Sequence, residues 1–302
     1  MPELPEVETI RRGLEKKALQ KTIERVEVRC RKIILRPQAS QLAVELAGQT
    51  IEEIRRRGKF LVLGTRDFIL LIHLGMTGQL TYWDKTEKDA EAFSINPLTG
   101  LQQAHQHAID KHTHIIIYFT DGNALHYRDV RQFGKWRLYA KEEFGEAQEF
   151  WRLGLEPFSP EYTWKGFEAR FGKRNLRIKS LLLDQGFVAG VGNIYADEAL
   201  FEARVHPERR VSGLSQDEKL KLFKAIPKVL RRGIHFGGTT FQSYLNAEGK
   251  AGGFQEYLNV YGRERQHCRR CESQIQRLVI SQRSSHFCPN CQPRRRSRTL
   301  RK

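Results

Sequence analysis

Two clusters in this 302-residue chain combine residue types and spacings that could carry chemistry. The first is Met1-Pro-Glu-Leu-Pro-Glu at the N-terminus. A proline after the initiator methionine is small enough for the methionine to be trimmed. Pro2 would then carry a secondary amine able to attack an electrophilic carbon, with Glu3 beside it. The second cluster is Cys268, Cys271, Cys288 and Cys291, two CxxC knuckles separated by residues 272–287. That spacing suits one tetrahedral Zn²⁺ with every position filled by thiolate, a structural rather than a catalytic metal.

Other candidates are weaker when taken singly. Gly190-Val-Gly-Asn193 precedes a helical pattern, so backbone N–H groups and a positive dipole end could receive a phosphate there. Lys173, Arg174, Arg177 and Lys179 could follow a nucleic-acid backbone or could be a solvated helix face. Met76, in His-Leu-Gly-Met-Thr-Gly, and Arg131 and Phe133, in Arg-Gln-Phe-Gly, put large side chains in turns after strands. Such residues are ordinarily core, yet they could fill the space left by a base flipped out of a duplex. Lys59, after Arg55-Arg-Arg-Gly58, reads as a phosphate contact, a proton donor or a charged strand end. Arg277 and Gln282-Arg283-Ser-Ser285 lie between the knuckles, where the hairpin could present arginine to a phosphate or base edge. His105, His107, His112 and His114 lack the partners of a metal site and read as solvated loop histidines. Cys30 stands alone and reads as an inert thiol.

The elements that must position these groups follow from periodicity. Pro5 suits a first helical turn, Glu6 and Glu8 suit its dipole, and Val7, Ile10, Leu14 and Ala18 recur at helical spacing. The amine would therefore be mounted on a rigid helix, although the same pattern also describes an ordinary capped helix. β-Rich runs at 23–28, 50–54, 59–63, 68–73, 114–119, 124–127 and 135–139, with a turn at Asp121-Gly-Asn123, predict an antiparallel sandwich packed on that helix. Residues 83–111 lose periodicity and read as a long, poorly ordered excursion. Beyond a linker, helices are expected at 176–185, at 194–203 with Asn193 as its cap, and from the Ser215/Glu218 capping box to about Arg232, kinked at Pro227. Gly237 to Gly262 forms a glycine-rich loop that could close over a ligand.

The expected fold class is thus α+β: an N-terminal antiparallel β-sandwich with flanking helices, a helical domain and a four-cysteine zinc finger. The domains are 1–145, a linker at 146–160, 161–264, 265–292 and a basic tail at 293–302. Fifty-two Lys and Arg against 35 Asp and Glu give a net charge of +17 and a pI near 9.8, which favours a polyanionic partner. Only six of the basic residues lie in the tail, so the bias belongs to the body. No apolar run reaches the ~18 residues of a membrane span and no secretory leader is evident. An intracellular, cytoplasmic or nucleoid-associated monomer is expected.

The literal strings narrow this reading. PELPEVET, RRRGKF, HLGMTG, KHTH, DVRQFG, AGVGNIYADEALF, GGTT, VYGR and the CxxC pair occur in the order, and over nearly the whole length, that resembles the formamidopyrimidine-DNA glycosylases. The resemblance implies an enzyme that removes oxidised purines from double-stranded DNA and cuts the strand at the abasic site, with a helix–two-turn–helix unit at 176–203 and no cofactor beyond zinc. It further implies Pro2 as nucleophile on the sugar C1′, Glu3 as general acid/base, Lys59 as proton donor and phosphate contact, and Asn193 and Arg283 as phosphate ligands, Arg283 also assisting δ-elimination. Met76, Arg131 and Phe133 become void-filling residues, and His112 a contact to DNA. Gln132 stands where many relatives have a second arginine, Val130 where many have proline, and Asn175 at a commonly basic position. The rival readings are an endonuclease VIII-like enzyme for oxidised pyrimidines and a non-catalytic zinc-finger binding protein.

Overall fold

The computed structural model describes residues 1–86, 93–95, 102–104, 109–241 and 244–294. The chain divides into two compact units, Met1–Phe150 with Gly237–Gly253, and Trp151–Phe236 with the remainder.

In the first unit, α1 (Leu4–Ala18) is followed by β1 (Ile23–Val28), β2 (Ile34–Arg36), α2 (Ala39–Leu46), β3 (Glu53–Arg57), β4 (Phe60–Gly64), β5 (Phe68–His73) and β6 (Gly78–Trp83). A short hairpin, β7 (Phe93–Ile95) and β8 (Gln102–Ala104), precedes β9 (Thr113–Phe119), β10 (Ala124–Asp129) and β11 (Lys135–Ala140). Two sheets form, with orders β1-β9-β10-β6 and β2-β11-β5-β4-β3. The pairings in these sheets are antiparallel, as expected, except for β2 with β11, which is parallel. Val7, Ile10, Leu14 and Ala18 of α1 enter one core with Ile115, Ile117, Leu61, Ile72 and Trp136 of the two sheets. Burial of this amphipathic stripe is what anchors the N-terminus. Of the poorly ordered excursion expected at 83–111, Trp83 ends β6, and residues 87–92, 96–101 and 105–108 lie outside the described residues.

Residues 237–253, expected in the helical domain, pack instead in this first unit. Gly238, at φ +84°, sits where a Cβ would come within 2.9 Å of Glu6 Cγ. Only glycine permits both that conformation and that approach.

After α3 (Gln148–Trp151), the second unit contains α4 (Trp164–Ala169), α5 (Ile178–Leu183), α6 (Asn193–Glu202), α7 (Gln216–His235) and a zinc-finger hairpin of β12 (Gln276–Ile280) and β13 (Arg283–Phe287). The Ser215/Glu218 capping box starts α7 as expected, and the helix continues through Pro227 to His235. The helix expected over 176–185 shrinks to α5, and Gly192, not Asn193, caps α6. Ser281 and Gln282 both have positive φ, 48° and 60°, and form the two-residue turn of the hairpin. Positive φ at both central residues suits the twist of an antiparallel pair.

Among the described residues, no helix is long and apolar enough to cross a membrane. The basic tail is described only as far as Arg294.

Candidate active site and nucleic-acid interface

In the first unit the N-terminal residues are fixed by backbone chemistry. Pro2 is buried, Glu3 is 3% exposed, and Met1 is 47% exposed. Glu3 is the N-cap of α1, and its N–H donates to Glu6 Oε2 at 2.8 Å. Glu6 also accepts the Thr239 N–H at 2.7 Å through its other oxygen, and its carbonyl accepts from the Tyr244 hydroxyl at 3.3 Å. One buried carboxylate thus ties the start of α1 to the glycine-rich segment. The sequence showed Glu6 only as a dipole-matched acid, because Thr239 and Tyr244 lie more than 230 positions away.

Lys59 lies with Gly58 in the turn between β3 and β4 and is 6% exposed. His73, at the end of β5, has its pKa held down to about 4 by burial and then by the positive charges of Lys59, Lys135 and Arg137. Its ring packs edge-on to Phe60 at 5.0 Å. A cavity of about 550 Å³ is lined by Met1, Phe60, His73, Met76, Gln132 and Phe133, among others.

Met76, Arg131 and Phe133 come together. The Arg131 Nη1 donates to Met76 Sδ at 3.3 Å, and its guanidinium lies 4.6 Å from the centre of the Phe133 ring. Phe133 is 49% exposed, so it is not the core residue its type would ordinarily be. Gln132 between them takes φ +55°, a left-handed conformation. His112 is partly buried; its carbonyl accepts the Asp129 N–H at 3.0 Å. His114, expected to be a solvated loop residue, is buried in β9 with Nε2 2.9 Å from the Asp129 carbonyl oxygen. His105 and His107 lie outside the described residues.

In the second unit, Asn193 begins α6, and its side-chain oxygen is buried without a hydrogen-bond partner among the described residues. Lys173 and Arg174 are exposed, Arg174 pairing with Asp184 at 3.2 Å. Lys179 corrects an expectation: it is no surface cation but a fully buried partner of Asp197 at 2.7 Å. Burying an ammonium requires such a partner. Asp197 also accepts from the Ser285 hydroxyl and the His286 N–H, fixing β13 to α6. The neighbouring Glu198 accepts backbone N–H groups of Asn259, Val260 and Tyr261. Arg283, the exposed first residue of β13, is therefore carried on a hairpin bolted to the helix that begins with Asn193.

The four sulfur atoms of Cys268, Cys271, Cys288 and Cys291 lie within 4.8 Å of one another. Tetrahedral Zn²⁺ with Zn–S of about 2.3 Å requires S···S separations of about 3.8 Å. The Cys268–Cys291 and Cys271–Cys288 pairs, at 3.9 and 3.4 Å, fit that requirement. Backbone N–H groups of Arg270 and Cys291 point at Cys268 and Cys288 sulfur, as thiolate ligands need. The site is that of one structural zinc ion.

Three family models match in chain order: the formamidopyrimidine-DNA glycosylase N-terminal domain over residues 1–136, the H2TH domain of the same glycosylase over 153–244, and a zinc finger found in FPG and IleRS over 266–294. The formamidopyrimidine-DNA glycosylase of Shouchella clausii is 43% identical over 295 residues, 97% of this chain and 100% of the relative. The Lactococcus lactis Fpg in complex with DNA containing an abasic site superposes with a TM-score of 0.83 at 35% identity, covering 96% of this chain and 99% of that one. The same enzyme bound to DNA containing N7-benzyl-Fapy-dG gives 0.84 at 35% identity, covering 97% and 100%. Agreement over the full length in sequence, domain order and fold establishes that this chain belongs to the formamidopyrimidine-DNA glycosylase family.

Proposed function

We propose that the chain is a monomeric base-excision enzyme that removes oxidised purines from double-stranded DNA and then cuts the strand through β,δ-elimination. The observation that carries this reading is the cavity lined by Met1, the residue joined to the Pro2 nitrogen, together with Met76 and Phe133. A nucleophile at the N-terminus and a wedge that holds a duplex open belong beside one another in an enzyme that extrudes its target.

With Met1 removed, the neutral Pro2 nitrogen attacks C1′, the bond from C1′ to the base breaks, and the base leaves with a proton. Glu3 supplies the carboxylate that assists opening of the sugar ring. The resulting iminium draws electrons from C2′, so loss of a C2′ proton expels the 3′ phosphate, and a second elimination expels the 5′ phosphate. Lys59 serves as proton donor and phosphate contact, Asn193 and Arg283 hold phosphate at the lesion, and Arg283 assists the second elimination. Met76, Arg131 and Phe133 fill the vacated stack; His112, Lys173 and Arg174 contact the DNA. Such an enzyme works inside the cell, on nucleoid DNA.

The test is borohydride trapping on a duplex with one 8-oxoguanine opposite cytosine, followed by mass spectrometry. The expected product is a covalent adduct to a chain that begins at Pro2, absent from Pro2→Gly. If zinc-loaded protein forms no adduct, the non-catalytic binding reading takes its place. Trapping on an oxidised-pyrimidine duplex alone would favour the endonuclease VIII-like alternative.

A further inference from the structure

We infer that Asp129 is a positioning residue that locks the two loops bearing Met76, Arg131 and Phe133 into one rigid wedge. The inference rests on the role proposed above for those three side chains. Asp129 ends β10 and has no accessible surface. Its two carboxylate oxygens are shared between the loops. Oδ1 accepts from the Thr77 hydroxyl at 2.5 Å and the Arg131 N–H at 3.3 Å. Oδ2 accepts from the Gly134 N–H at 2.8 Å and the Tyr127 hydroxyl at 3.1 Å. The Arg131 N–H also reaches the Thr77 hydroxyl at 3.1 Å, which closes the link between the loops.

A carboxylate offers about four acceptor positions, and here four donors occupy them. Two donors are backbone N–H groups of the loop carrying Arg131 and Phe133, and a third is the residue after Met76. The loops interlock sterically as well. A Cβ on Gly134 would lie 1.6 Å from the Tyr127 hydroxyl oxygen, and one on Gly75 would lie 2.6 Å from the Gly134 nitrogen. The exposed triad is therefore held from beneath by a buried group that touches no ligand itself. A wedge must keep its shape while it displaces a stacked base, and charge-assisted bonds in a dry site supply that stiffness.

Asparagine at this position replaces one acceptor oxygen by a donor facing two donors, so one loop is released. The test compares two substrates: 8-oxoguanine in a matched duplex, which must be opened, and an abasic site in single-stranded DNA, which has no stack to fill. Asp129→Asn should lower duplex excision roughly tenfold to a hundredfold, while cleavage of the single-stranded site stays within about twofold of wild type. Thr77→Val, which keeps the carboxylate and removes one donor, should show the same split at smaller size. It decides the matter if Asp129→Asn does not fold. A parallel fall on both substrates, or unchanged duplex excision in Thr77→Val, would overturn the inference. Failure of the wild-type protein to cleave either substrate would refute the proposed function instead.

Discussion

Replacing Lys179 by methionine should weaken the second unit without touching any group proposed to meet DNA. The Lys179 ammonium lies 2.7 Å from Asp197 Oδ1, and neither side chain has accessible surface. The same ammonium donates to the Ser284 carbonyl at 2.5 Å, while Asp197 also accepts from Ser285 at 3.1 Å and from the His286 N–H at 2.8 Å. Removing one partner of a buried pair costs about 3–5 kcal/mol. Asp197 keeps two other strong donors, so Lys179→Met belongs near ~3 kcal/mol. Asp197→Leu strands an ammonium and unpairs the Ser285 hydroxyl and the His286 N–H, which moves it toward ~5 kcal/mol. The double variant leaves no buried charge, so its cost should fall below the sum of the singles by at least about 2 kcal/mol. Calorimetry of zinc-loaded protein reads this as a drop of roughly 10 °C in the Tm of the affected unit for Lys179→Met. A single variant within about 1 kcal/mol of wild type, or an additive cycle, would refute the claim that this pair holds the hairpin to α6.

Two further outcomes follow from the site. The His73 imidazole is held neutral in the folded state, near pKa 4 against an ordinary 6.5, by burial and then by Lys59, Lys135 and Arg137. Between those values the unfolded chain binds the extra proton, so stability is lost as pH falls from about 6.5 toward 4, at up to about 1.4 kcal/mol per pH unit and about 3 kcal/mol in all. Urea titrations across that range should show wild type losing about 3 kcal/mol more than His73→Gln as pH falls from about 6.5 toward 4; parallel curves would show that His73 is not the group responsible. Chelation of zinc should unfold the hairpin, because Cys268 and Cys288 are buried in a small cluster with Phe201, Val260 and Ile275 that cannot tolerate four bare thiolates. Metal analysis should give one zinc per chain, and its removal should abolish duplex binding while the strand signal of the first unit survives in circular dichroism.

What the sequence made legible was what local chemistry decides. The runs 23–28 and 68–73 form strands with the expected bounds, since β-branched and aromatic residues recur there without interruption by Gly or Pro. The Ser215/Glu218 box and the CxxC pair are likewise self-contained signals. Gly78–Trp83 forms a strand that the sequence reading leaves unassigned between the HLGMTG turn and the excursion from 83; its partner β10 lies more than 40 residues away. Lys179 misleads for a related reason: a lysine on an exposed helix face and one facing Asp197 look the same until α5 and α6 pack. Asp129, inside the recognisable string DVRQFG, could be seen, but not the four donors that surround it. Resemblance supplied the roles of Pro2, Glu3 and Arg283, which spacing alone left open.

The docking of Thr239 on Glu6 also has a consequence for how the molecule is made. Ribosomal synthesis delivers Pro2 at the start and Thr239 only after most of the chain. At about 5–20 residues per second the interval is tens of seconds. Throughout it, the Glu6 oxygen that ends 2.7 Å from the Thr239 N–H lacks that donor. Completing the first unit requires the chain to leave it after Phe150, pass through residues 151–236 and return. A nascent or truncated product carrying only the first 150 residues therefore holds Pro2, Glu3 and Glu6 without the segment that braces Glu6. The polypeptide's connectivity delays completion of the bracing around α1 until most of the chain has emerged.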